Sequence, residues 1–70
     1  IFIYPNPADD KFEIVMAESN FRVEILDVLG QTVHQSENAK VIDVSGLATG
    51  TYQVKIYLSD KSVMRKLVVK

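Results

Sequence analysis

His34 is the only histidine of this 70-residue chain, and there is no cysteine. Imidazole or thiol chemistry would therefore rest on a single side chain. A serine nucleophile beside that base would need a sharp elbow such as Gly-x-Ser-x-Gly, which the sequence lacks. His34 also falls in a short predicted strand, where an edge or surface position explains it without catalysis. Asp9 and Asp10 are adjacent carboxylates, but a calcium loop spaces its oxygen ligands around a glycine. The residues that follow, Lys11-Phe12-Glu13-Ile14, provide no such spacing, so a solvated turn is expected. Lys61, Arg65, Lys66 and Lys70 gather near the last residue without interleaved aromatics. On a terminal strand such cations protect an edge from unwanted pairing, or form a docking patch. No catalytic residue, metal or cofactor is expected.

The elements that carry these residues alternate with a period of two. Phe12, Ile14 and Met16 lie on one side of their segment, and Phe21, Val23 and Ile25 on one side of theirs. Ile42 and Val44 repeat the rule, and Tyr52, Val54, Ile56 and Leu58 form its longest run. Alternation of this kind means strands with one buried and one wet face. Seven strands are predicted, at about 1–4, 11–16, 21–26, 31–35, 41–44, 51–58 and 62–69, with no helix.

The breaks between strands have physical causes. Pro5 and Pro7 remove backbone donors and fix φ, so the first strand must end near Tyr4. Asp27-Val28-Leu29-Gly30 has the Asp and Gly of a type I turn closed by a left-handed glycine. Leu47-Ala48-Thr49-Gly50-Thr51-Tyr52 has the spacing of a tyrosine corner, in which a hydroxyl bonds back to upstream backbone. There the glycine is expected to give the chain room to enter the strand, and Leu47 to plug the sandwich end. The last strand fits neither phase: Arg65 accompanies Leu67 and Val69, whereas Lys66 and Lys70 accompany Val68. A bulge or a snorkelling side chain near Arg65-Lys66 is expected, with Leu67 and Val69 inward.

Composition bounds the answer further. With 47% hydrophobic and 24% charged residues, the chain suits one small globular domain spanning 1–70. A net charge of −1 provides no field for nucleic acid. No apolar run approaches the roughly 20 residues that cross a bilayer. The chain opens on Ile1 rather than methionine and ends on a strand, which suggests a module cut from the end of a larger secreted protein.

The ordered set of motifs is more specific than any one of them. Tyr4-Pro5-Asn6-Pro7 precedes Phe12-Glu13-Ile14, and Val23-Glu24-Ile25-Leu26-Asp27-Val28-Leu29-Gly30-Gln31 follows. Then come Ile42-Asp43-Val44-Ser45-Gly46-Leu47, Gly50-Thr51-Tyr52-Gln53-Val54-Lys55-Ile56 and the closing Lys66-Leu67-Val68-Val69-Lys70. This arrangement resembles the type A C-terminal sorting domain of type IX secretion cargo across essentially the whole chain. The resemblance implies an immunoglobulin-like Greek-key β-sandwich of about seven antiparallel strands. It implies a non-catalytic signal that directs cargo across the outer membrane of a Gram-negative cell, through the periplasm, to the surface or medium. Its partners would be the outer-membrane translocon, a sortase-like peptidase that removes the domain upstream of Ile1, and the cargo domain of the same polypeptide.

By motif, the resemblance assigns Pro5, Asn6, Pro7, Gly30, Gly50, Tyr52, Lys66 and Lys70 to the sorting pattern. A terminal strand with unpaired backbone groups would suit edge recognition, so Leu67, Val68, Val69 and Lys70 are the expected recognition strand. Weak self-association through exposed edges is also expected. The rival reading is a spacer or carbohydrate-binding sandwich, since fold alone does not separate the two. Such a binder would show exposed aromatics in a row, and only Tyr4, Tyr57 and Phe2 are available for that role.

Overall fold

Seven strands and no helix make up the computed structural model, which describes all 70 residues. They are β1 (Phe2–Tyr4), β2 (Lys11–Val15), β3 (Arg22–Leu26), β4 (Thr32–Glu37), β5 (Val41–Asp43), β6 (Gly50–Tyr57) and β7 (Ser62–Val69). A three-stranded sheet runs β1-β2-β5, and a four-stranded sheet runs β4-β3-β6-β7. Every pairing between these strands is antiparallel. The expected all-β sandwich is what forms.

The period-two pattern explains why the sheets stack. Phe12, Ile14, Val23, Ile25, Ile42, Val54 and Ile56 are all essentially inaccessible, and each occupies the inward phase of its strand, which Val44 continues just past β5. Ile3, Phe21, Tyr52, Leu67 and Val69 complete this layer, while Met16, Leu47 and Leu58 pack at its margins. Each fully buried Val, Leu, Ile or Phe contributes roughly 1.5–3 kcal/mol relative to an exposed side chain. No polar or charged residue is among the fully buried ones. Ala8, fully buried just past the second proline, is a core residue that alternation does not reveal.

The β3–β4 hairpin turns as its sequence predicts. The Gly30 amide donates to the Asp27 carbonyl at 3.0 Å, and the Asp27 amide donates to the Gln31 carbonyl at 2.9 Å. One oxygen of the Asp27 carboxylate accepts from the amides of Leu29 and Gln31, at 2.9 and 3.0 Å. Gly30 has φ +84°, which costs an L-residue roughly 1–2 kcal/mol. A Cβ there would meet open space, so backbone strain alone should set the effect of Gly30→Ala. We expect a loss of about 1 kcal/mol, read as a lower urea midpoint with unchanged slope. A neutral Gly30→Ala would contradict that turn geometry.

One detail of the strands differs from expectation, and one open alternative is decided. β4 ends at Glu37 rather than near 35, because a register shift between Ile25 and Leu26 leaves Val33 as an extra residue. Period-two counting does not register a bulge that slides the strand along its partner. β7 pairs with β6 without interruption from Ser62 to Val69, so of the bulge or snorkelling side chain expected near Arg65-Lys66 it is the snorkelling side chain that occurs. Arg65 follows the inward phase but escapes burial by reaching sideways. Its Nε donates to the Ile1 carbonyl at 3.1 Å and its Nη1 to the Met64 carbonyl at 2.8 Å. Leu67 and Val69 point inward as expected.

Candidate functional site: one end of the sandwich

Strand register gathers the sorting-pattern residues at a single end of the molecule. Leu26 is opposite Gln53, and Gln53 opposite Lys66, so the tail of β3, the start of β6 and the later part of β7 are level. The Asp27–Gly30 turn continues from Leu26, and Gly50 and Tyr52 open β6. Pro5, Asn6 and Pro7 leave β1 at the same end, where Asn6 touches β7. The peptide bonds before both prolines are cis. The opposite end carries Ile1, the Glu18-Ser19-Asn20 connection and the β6–β7 turn, and none of the pattern.

Asn6 behaves as a backbone unit inserted beside β7. Its Nδ2 donates to the Lys66 carbonyl at 2.7 Å, and its Oδ1 accepts from the Val68 amide at 2.9 Å. Two residues on, the Ala8 amide donates to the Val68 carbonyl at 2.7 Å and the Ala8 carbonyl accepts from the Lys70 amide at 2.9 Å. An asparagine side chain has the same donor–acceptor pair as a peptide group, so it can extend a ladder without being part of the main chain. Pro5 and Pro7 cannot donate, which leaves the ladder bonds to the residues between and after them.

These bonds overturn the expectation that β7 offers unpaired backbone. Antiparallel pairing directs alternate residues outward, and on β7 those are 62, 64, 66, 68 and 70. The Met64 and Lys66 carbonyls, both polar groups of Val68 and the Lys70 amide all have partners. What remains free along Lys66–Lys70 is mostly side chain. Lys66 and Lys70 are exposed, whereas Leu67 and Val69 are at most 1% accessible.

The tyrosine corner forms at the same end. Tyr52 Oη donates to the Ala48 carbonyl at 2.6 Å, with the ring 8% exposed. Leu47 is half-buried against the core, as a plug would be. At Gly50 a Cβ would meet nothing within 4 Å, so its role at the strand entry is conformational: φ is +159°, where an L side chain is strained. Tyr52→Phe keeps the ring and removes one hydrogen bond, leaving the part-buried Ala48 carbonyl unpaired. The expected cost is about 1–2 kcal/mol in urea unfolding. An unchanged midpoint would show that the ring alone anchors this corner.

Sequence reasoning missed the most exposed apolar feature. Val28 and Leu29, at the tip of the Asp27–Gly30 turn, are each 80% accessible. A turn that needs only Asp27 and Gly30 for its geometry leaves these two positions free for other uses. They project from the end that carries the rest of the pattern.

Other candidate residues have structural accounts. His34 lies close enough to Asp43 for their charges to interact, but no group of three or more metal-ligating side chains occurs. The Asp43 carboxyl lies below the usual carboxylate range, mainly because the Ser45 amide donates to it at 2.8 Å. A depressed folded-state value adds stability above the ordinary carboxylate range, and that stability is lost as acid protonates the group. Asp43→Asn should therefore flatten the fall in thermal stability at the acid end of a pH series. An equally steep fall in the variant would rule Asp43 out as its source. Tyr57 is not free to bind: its Oη donates to Glu24 at 2.9 Å, and the Arg22 guanidinium lies 4.3 Å above its ring.

The fold is an all-β sandwich whose distinctive residues gather at one end. Comparison with known families places the chain. A family model described as the secretion system C-terminal sorting domain matches residues 2–70. The chain belongs to that family, whose members are sorting signals for type IX secretion and mark a cargo polypeptide for the cell surface or extracellular space. No curated protein matches the chain.

Proposed function

We propose that the pattern-bearing end of the sandwich is the surface that the type IX machinery reads. The observation that carries this is the convergence of Pro5, Asn6, Pro7, Gly30, Gly50, Tyr52, Lys66 and Lys70, spread over 66 positions, onto one end. Within it, Leu67 and Val69 hold the last strand, while Lys66, Lys70 and the half-buried Val68 present its readable side. Asn6, Pro5, Pro7 and Tyr52 keep that side in place. The domain itself catalyses nothing. Its cargo would precede Ile1, at the far end, so a folded neighbour there would leave the read surface open. The path runs through the periplasm to the outer-membrane translocon, after which a sortase-like peptidase cuts upstream of Ile1.

The test is a secretion assay. The domain is fused behind a fluorescent reporter carrying a signal peptide, in a competent host and in a translocon-deficient sibling. Surface or secreted reporter in the competent host alone is the expected result. A Lys66→Ala/Lys70→Ala double variant should fold normally yet lower export, since both side chains are exposed. Full export of that variant would reject the lysines as contacts. Periplasmic retention of the folded parent domain in both hosts would reject the sorting reading.

One observation favours a second reading, carbohydrate binding. Phe2 and Tyr4 are about half exposed on the outer face of the three-stranded sheet, with ring centroids 6.2 Å apart. Beside them is an open depression of about 320 Å³ lined by Tyr4, Pro5, Lys11, Phe12, Glu13 and Val41. Titration with neutral oligosaccharides, followed by tyrosine fluorescence and repeated on Tyr4→Ala, decides it. Absence of saturable binding removes this reading.

A further inference from the structure

The four-stranded sheet has two edges that are managed in opposite ways. β7 is closed by Asn6 and Ala8 and carries Arg65, Lys66 and Lys70. β4, at the other edge, carries Thr32-Val33-His34-Gln35-Ser36-Glu37, with no lysine, arginine or proline. No loop or side chain bonds to its outer side. Lysine, proline and covering segments are the usual protection of a sheet edge, and β4 lacks all three. Its one irregularity, the extra residue Val33, lies near its start and leaves His34–Glu37 in regular register with β3.

The bonding phase of β4 follows from its end. The Asn38 amide donates to the Phe21 carbonyl, and the Asn38 side chain accepts from the Phe21 amide. Alternation from that pair directs the backbone of Ser36 and His34 toward β3, opposite Val23 and Ile25. The amides and carbonyls of Gln35 and Glu37 therefore point away from the sheet and are unpaired.

A second observation lies on the inner side of the same strand. Ser36 Oγ is buried and has no hydrogen-bond partner, the one such side-chain atom in the molecule. An unpaired buried hydroxyl costs roughly 1–3 kcal/mol. Something that brings a polar group alongside would relieve it.

We propose that β4 is a self-pairing edge, on which a second copy of this chain adds its own β4 antiparallel to form an eight-stranded sheet. The two-fold axis would pass beside Gln35. In that register Gln35 is opposite Gln35 of the second copy, and Val33 is opposite Glu37. No like charges face each other. His34 falls opposite Ser36 of the second copy, in the wide pair where side chains approach most closely. Each half-buried imidazole then lies within reach of an orphaned hydroxyl. A two-fold axis beside Ser36 would lose that match, and one beside Glu37 would set carboxylates together. Pairing at β4 leaves β7, on the opposite edge, uncovered.

The interface is one short ladder, so association is weak and concentration-dependent. Sedimentation equilibrium of the chain from about 10 μM to about 1 mM should show a reversible monomer–dimer equilibrium. Gln35→Pro removes only an outward amide, so the β3–β4 ladder survives while pairing is blocked. Gln35→Lys, on the exposed face, sets two like charges against each other and keeps the fold if the proline does not. Either change should weaken the dimer at least about tenfold, with the thermal midpoint of the monomer unchanged for the lysine variant. Lys66→Pro, on the other edge, should leave the dimer intact. A chain that stays monomeric throughout, a dimer that survives Gln35→Lys, or a dimer lost in Lys66→Pro would each overturn the proposal.

Discussion

Removing Leu67–Lys70 should abolish the cooperative unfolding transition altogether, not merely impair recognition. Leu67 and Val69 are at most 1% accessible and pack into the core. Deleting a buried leucine side chain alone typically costs about 2–5 kcal/mol. At about 0.05–0.15 kcal/mol per residue, a chain of this size has only roughly 4–10 kcal/mol in total. The truncation would also remove Val68 and Lys70, to which Asn6 and Ala8 bond. Circular dichroism during urea titration should show a sloping baseline with no sigmoid. A sigmoidal transition with an ordinary slope would show that the sandwich closes without this strand. In consequence, lost export after such a deletion would not identify a recognition site. The exposed Lys66 and Lys70 side chains are the better probe of contact.

Asn6→Ala should cost about 2 kcal/mol despite its exposed position, because it removes a donor and an acceptor together. Asn6→Asp should be little better, since a carboxylate accepts from the Val68 amide but repels the Lys66 carbonyl. Hydrogen exchange isolates the effect. In the parent chain the Val68 amide is protected by Asn6, and in Asn6→Ala it should exchange far faster, while the Leu67 amide remains held by β6. An unaltered Val68 rate would mean that the Asn6 side chain is not what closes this edge. The stability loss is also a loss of edge protection, so Asn6→Ala should aggregate more readily on heating.

The positions of the seven strands were legible because burial on one face imposes a period of two, and period is a local property. The same holds for the Asp27–Gly30 turn and for Tyr52, whose partners lie four residues or fewer away. Reading failed where one residue answers to two strands. The Val33 bulge could not be placed, since nothing in Thr32-Val33-His34 says which side chain is extra. Arg65 posed a conflict that the structure resolves partly through the carbonyl of Ile1, 64 positions away.

The candidate site divides along the same line. Its residue types were recognisable from the order of Pro5-Asn6-Pro7, Gly30, Gly50, Tyr52 and Lys66–Lys70, but their gathering at one end was not. The supposedly free edge of β7 was misread for want of neighbours. A local pattern cannot show that an asparagine side chain occupies a strand edge.

By itself, then, the sequence determined the fold class, the inward face of most strands, the hairpin turn and the kinship with sorting domains. The first three rest on alternation and on turn chemistry, whose interactions span a few residues, and the kinship rests on the ordered motifs that resemble the family. The tertiary structure alone decided which edge is guarded and which is open. It also set the common end at which distant motifs meet and the fate of each cation on β7. Those depend on hydrogen bonds between residues some 60 positions apart, and such distances are fixed only once both sheets have closed over the core.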